Sequence, residues 1–178
     1  MNTSVKPKIN TKTLVIVALF IALSFAGSYI KLFGTIAFDS LPGFLAALLL
    51  GPVYGAVIGF LGHLFTALTS GFPLSVPMHM VIAASMALTM LGFGYTYKAL
   101  INRIPEVVTL ITTGAVGVIL NAPVSLAFSI GMMALAVGME AALGLLTMLP
   151  ALLIAATANV VISIILYKAL GGVWSRMT

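Results

Sequence analysis

The stretch SLPGFLAALLLGPVYGAVIGFLGHLFTALTSGFP, Ser40 to Pro73, decides the fold. It contains no Asp, Glu, Lys or Arg, and His63 is its only side chain of a type that titrates near neutral pH. A bilayer-spanning helix needs roughly 20 apolar residues, and Gly and Pro punctuate such runs. The Gly51-Pro52 step therefore divides the stretch into two short helices, about Leu41 to Leu50 or Gly51 and about Val53 to Leu68. The first is too short to cross the hydrocarbon core alone, so it must be tilted, broken or covered by protein.

Working outward, further apolar runs extend over about Thr13 to Leu32, Pro77 to Leu100, Val107 to Met133 and Leu143 to Leu166, six spans in all. Composition agrees. Of the 178 residues, 62% are hydrophobic and 6% charged, with mean hydropathy +1.26, whereas soluble domains carry about 25% charged residues. The expected fold is an all-α integral membrane bundle of six transmembrane helices, one domain over residues 1–178, in which 1–12 form a basic cytoplasmic N-terminus. The run from Thr13 lacks a small-residue cleavage site and is read as a retained helix rather than a signal peptide.

Cations favour the cytoplasmic side of short loops. With the N-terminus inside, Lys6, Lys8, Lys12, Lys98, Arg103, Lys168 and Arg176 all fall on the inner side and only Lys31 on the outer. Both termini are then cytoplasmic, in a cell membrane. Three outer segments follow: Phe33 to Ser40, Thr69 to Val76 and about Ala134 to Ala142. The net charge of +5 is dispersed among apolar spans with no basic stripe, which argues against nucleic acid as a partner.

The absence of cysteine excludes disulfides, thiolate metal sites and cysteine nucleophiles. Two histidines and three carboxylates remain. Asp39, Glu106 and Glu140 each precede or open a helix, where an anion meets the positive end of the helix dipole. Capping explains all three, and a ligand role is equally open for Asp39 and Glu140. His63 lies late in the third span and His79 in the first turn of the fourth, behind Ser75 and Pro77. Either bonds a neighbouring backbone or offers a neutral donor and acceptor to a heteroaromatic or polyol ligand. No third ligand stands at metal-site spacing, so no metal is expected.

Asn121, two residues before Pro123, and Asn159 are intramembrane amides, suited to interhelical bonding or to lining a cavity. Phe72, with Tyr29, Lys31, Phe33 and Phe38, supplies aromatic and cationic groups near span ends, where interfacial anchoring is the ordinary use. Together these exceptions outline a pocket opening outward. Ala18, Ala22 and Ala26 share one helix face at spacing four, which permits close approach of another helix, and Gly51, Gly55 and Gly59 make a second small face suited to internal packing.

The alanine face in VALFIALSFAGSYI (Val17–Ile30), the Leu50-Gly51-Pro52-x-x-Gly55 step, the six-span length and the basic N-terminus resemble the substrate-binding (S) components of energy-coupling factor (ECF) transporters, over nearly the whole chain. The resemblance implies a subunit that captures a vitamin or related micronutrient from outside. It also implies docking through Ala18, Ala22 and Ala26 onto a membrane coupling (T) subunit driven by two separate ATPase subunits. No Walker-type phosphate loop occurs in this chain. The segments SGFPLSVPMH (Ser70–His79) and GTIAFDSLPGF (Gly34–Phe44) look most like the S components tied to cobalamin salvage, notably those for α-ribazole. A neutral benzimidazole riboside suits the substrate-binding set Asp39, His63, Phe72, His79, Asn121, Glu140 and Asn159. A dianion would need several buried cations. Other vitamins, among them riboflavin, pantothenate and cobalamin, and a stand-alone secondary transporter are the alternatives. No cofactor is expected, and the strings of rhomboid-like and His-Glu-x-x-His proteolysis are missing, so an enzyme is not expected.

Overall fold

A computed structural model describes residues 10–32 and 36–177. Lys6, Lys8 and Phe33 lie outside the described residues, and only the backbone of Lys31 and Arg176 is described. The chain runs through α1 (Thr11–Gly27), β1 (Lys31–Leu32), β2 (Ile36–Ala37), α2 (Leu41–Leu49), α3 (Pro52–Ser70), α4 (Val76–Leu100), α5 (Glu106–Ile119), a π-helical turn (Leu120–Val124), α6 (Ser125–Val137), α7 (Met139–Ala142), a 3-10 segment (Leu143–Met148) and α8 (Leu149–Met177). Four continuous helical stretches are long and apolar enough to cross a bilayer: α3, α4, Glu106–Val137 and Met139–Gly172. With α1 and α2 they make six helical segments.

The short α2 explains the bundle. Nine residues rise only about 13 Å, against a hydrocarbon core of about 30 Å. The chain resolves this by covering it with protein: Pro42 to Leu48 are all buried, packed among α1, α3, α4 and α8. Phe44 is wholly buried and meets Phe93 of α4 edge to face at 4.8 Å. Close passage of α3 against α2 and against α4 depends on small residues. A Cβ on Gly55 would stand 2.6 Å from the Ala47 Cβ, and one on Gly59 would stand 2.9 Å from Met90. Gly51 makes the reversal between the two helices at φ +114, a conformation that side-chain-bearing residues avoid.

Three boundaries differ from the sequence expectation. The first helix ends at Gly27 rather than Leu32, because the chain turns into a two-residue antiparallel ladder in which Lys31 pairs with Ala37 and Leu32 with Ile36. The bundle is therefore all-α except for this hairpin. The carbonyl of Phe38 passes 2.5 Å from where a Cβ of residue 27 would sit, so only glycine admits the return. Pro123 does not end the fifth span. One π-helical turn absorbs its missing N–H, with the Ser125 N–H reaching the Leu120 carbonyl, and the helix continues to Val137. The sixth long helix starts at Leu149, since Leu143 to Met148 wind as 3-10 helix.

The two ends of the bundle differ in charge. Lys12, Lys98, Arg103 and Lys168 lie towards the end formed by the start of α1, the α4–α5 turn and the last turns of α8, and Glu106 pairs there with Lys168 at 2.7 Å. The hairpin, the α3–α4 turn and α7 form the other, hairpin end.

Candidate functional site

The hairpin end is where buried polar groups collect. Asp39 precedes α2, but the N-cap position is Ser40 and its side chain makes no cap bond. The Asp39 carboxylate instead turns toward α3, where Thr66 Oγ1 donates to Oδ2 at 2.5 Å and His63 Nδ1 stands 3.8 Å from the same oxygen. Ser40 Oγ adds a contact at 3.4 Å to Oδ1. Burial pushes the Asp39 carboxyl above its ordinary range, opposed by the hydrogen bonds from Thr66, the backbone and Ser40. Glycine brings the parts together. At Gly62, one turn before Thr66, a Cβ would meet Ser24 of α1 at 2.9 Å and the Asp39 carbonyl at 3.2 Å.

His63 then reaches α4. Its Nε2 lies 3.1 Å from His79 Nδ1, with the two rings stacked at 5.3 Å. Both histidines are buried, and His79 Nε2 has no hydrogen-bond partner among the described residues. Phe72 packs edge-on against the His79 ring at 5.7 Å. Its backbone at φ +51 and that of Ser75 at φ +86 are unusual for non-glycine residues. The turn is held by Phe72 N–H to the Ala67 carbonyl and Ser75 N–H to the Phe72 carbonyl, both 2.9 Å. Strained backbone of this kind costs about 1–3 kcal/mol and gathers where geometry serves a site.

These groups edge a cavity of about 110 Å³; one water needs roughly 10–15 Å³ by the same measure. Asp39, Ser40, His63 and His79 line one side, and Asn121, Ser125, Ser129 and Asn159 the other. Leu74, Met86, Leu126 and Leu152 make apolar walls, and the 3-10 segment contributes Leu145 and Met148. Asn121, Ser125 and Ser129 repeat at spacing four and so share a helix face. The π-helical turn keeps them in register, Ser85 of α4 bonds Ser125 at 2.5 Å, and Ser129 donates to the Ser125 carbonyl at 2.8 Å. The Asn121 Oδ1 is buried without a hydrogen-bond partner among the described residues. No Lys or Arg lines the cavity among the described residues, and no group of three metal-ligating side chains occurs among them.

Of the residues singled out from sequence, Asp39, His63, His79, Asn121 and Asn159 meet at this one cavity, and Phe72 abuts it through His79. Glu140 does not. It is exposed in the first turn of the short α7, away from the lining residues. Sequence reading passed over Ser40, Ser125 and Ser129, although the Asn-Ser-Ser repeat at spacing four was there to be read. Ala18, Ala22 and Ala26 are all exposed on α1, on the side away from its buried Phe20 and Ser24. Gly55 and Gly59, by contrast, are interior.

Fold and cavity together define a helical membrane protein with a mostly apolar chamber edged by a few convergent polar groups, the usual build of a small-molecule site. The family is specific. A model of the ECF transporter substrate-specific component family matches residues 12–171, and the chain belongs to that family. No curated protein and no solved structure matches it closely enough to count as a relative.

Proposed function

We propose that the chain captures a neutral micronutrient in the cavity at the hairpin end, and that its substrate is α-ribazole or a closely related cobalamin precursor. The observation that carries this reading is the pairing of an imidazole wall, His63 and His79, the latter backed by Phe72, with an amide and hydroxyl group of lining residues, Asn121, Ser125 and Ser129, and no Lys or Arg in the lining among the described residues. A benzimidazole riboside has a flat apolar part and a polyol part, and requires no counter-ion. The described cations, Lys12, Lys98, Arg103 and Lys168, favour the cytoplasm at the opposite end, so the cavity faces outward and both termini lie on the cytoplasmic side of a bacterial cell membrane.

Uptake then requires partners. The exposed Ala18, Ala22 and Ala26 form a smooth strip on which a membrane coupling subunit docks, and two ATPase subunits supply the energy. Binding of purified chain to α-ribazole, cobalamin, riboflavin, thiamine and pantothenate tests the substrate. Tight binding of α-ribazole alone supports the reading, and preference for another compound replaces the substrate while keeping the capture role. Ala18→Trp with Ala22→Trp should abolish uptake in cells and leave binding by the purified chain intact. Loss of both together would move the alanines from a docking face to a structural one.

A further inference from the structure

Asp39, His63 and His79 stand in series from the α2 entrance to the cavity. The Asp39 Oδ2 faces His63 Nδ1 at 3.8 Å, and His63 Nε2 faces His79 Nδ1 at 3.1 Å. The remaining ring nitrogen, His79 Nε2, is buried and without a hydrogen-bond partner among the described residues, on a ring that lines the cavity. A neutral imidazole has one N–H and one lone pair, so fixing the proton of one ring fixes the next. Two arrangements satisfy the bond between the rings. In one, His63 carries its proton on Nδ1 and His79 donates from Nδ1, leaving His79 Nε2 bare. In the other, His79 Nε2 carries the proton and the bare Nδ1 of His63 faces Asp39.

The carboxylate decides between them. The oxygen facing His63 is the one that already accepts from Thr66 at 2.5 Å, so it presents a lone pair. At 3.8 Å it is beyond hydrogen-bond reach, but away from water its field still favours an N–H over an opposing lone pair. Resting on the reading of this cavity as the ligand site, we propose that Asp39 and His63 are positioning residues that hold the proton of His79 on Nδ1. The atom offered to the ligand, His79 Nε2, is then an obligatory acceptor. Asn121 can turn either end of its amide to a ligand, so it tolerates both polarities. His79 does not, and it selects a ligand carrying a hydroxyl or N–H at that point against one presenting a carboxylate oxygen or an unprotonated ring nitrogen.

The test is nitrogen NMR of the full-length chain, labelled with ¹⁵N-histidine in lipid nanodiscs at neutral pH without ligand. The chain has only two histidines, and His79→Gln assigns the signals. The expected result is that both rings are protonated at Nδ1 alone. A His79 protonated at Nε2, or at both nitrogens, overturns the inference. Asp39→Asn should shift the His79 proton toward Nε2, and an unchanged proton there removes Asp39 from the role. If that variant does not fold, His63→Phe, which deletes the acceptor facing His79 Nδ1, provides the same reading. A failure of α-ribazole to bind would remove the proposed substrate while leaving the tautomer result standing.

Discussion

The two ends of the bundle treat their polar side chains in opposite ways. At the cationic end, Tyr97 and Tyr167 hydrogen-bond to each other through their hydroxyls, and Glu106 takes Lys168 at 2.7 Å, so each group finds its partner within the fold. At the hairpin end the polar atoms are more deeply buried, and His79 Nε2 and Asn121 Oδ1 have no hydrogen-bond partner among the described residues and stand beside a void. A buried unpaired polar atom costs about 1–3 kcal/mol, so a fold concerned with stability alone would fill this space with apolar side chains. The cationic end also buries an unpaired hydroxyl, Thr109 Oγ1, among the described residues, but that atom is not part of the cavity lining; what sets the hairpin end apart is that its unpaired atoms border a void that something else can fill.

Breaking the seam that both ends share should have the largest effect. In Gly55→Val the new side chain meets Ala47 and the Gly43 carbonyl within 2.6 to 2.8 Å, at an expected cost of about 3 kcal/mol, seen as a lowered melting temperature in detergent. Next comes the open end. His79→Ala should weaken α-ribazole binding by about thirtyfold, or about 2 kcal/mol, with a smaller loss of stability of about 1 kcal/mol, because the bond to His63 is lost together with the unpaired nitrogen. A fall in melting temperature as large as the binding loss would erase the distinction between the two ends.

Asn121→Leu sharpens the comparison further, with an expected loss of about 1 kcal/mol in binding and no loss of stability. At the closed end the pattern should reverse. Tyr97→Phe removes one hydroxyl of an internal pair and should lower stability by about 1 kcal/mol without changing ligand affinity. The smallest effect belongs to Lys168→Met. Its ion pair with Glu106 is half-exposed, at 53% and 45% for the two side chains, and is worth about 0.5 kcal/mol, which should fade in high salt.

Much of this was legible in the sequence because membrane helices make polar residues conspicuous. Asp39, His63, His79, Asn121 and Asn159 stand out against an apolar background, and four polar residues within the spans with a carboxylate at the head of another have few places to go except a common chamber. The Gly51-Pro52 step likewise announced the short covered helix. Serine carried less information. Ser129 bonds the carbonyl one turn back, as membrane serines commonly do, so it becomes meaningful only in register with Asn121 and Ser125.

The hairpin was hidden for a different reason. Ser28 to Leu32, with Tyr29 and Lys31, mark the approach to an interface but carry no turn signal, and the chain's return at Gly27 is fitted to Phe38, eleven positions later. The span was expected to pass through Pro123 and does, but the π-helical turn that lets it do so relocates hydrogen bonds without a visible mark in composition. Glu140 had the right charge near the right end, but the 3-10 segment after it presents Leu145 and Met148 to the cavity instead.

The wrapping of α2 also bears on how the molecule is made. A nine-residue helix enclosed by α1, α3, α4 and α8 emerges from the ribosome second, while α8, which covers one of its sides, emerges last. Its neighbours on the other sides can assemble as they enter the bilayer, but enclosure of the centre must wait for the final helix. A nascent chain stopped before Leu149 would hold its most buried element half uncovered, so the architecture makes completion of synthesis a condition for closing the core.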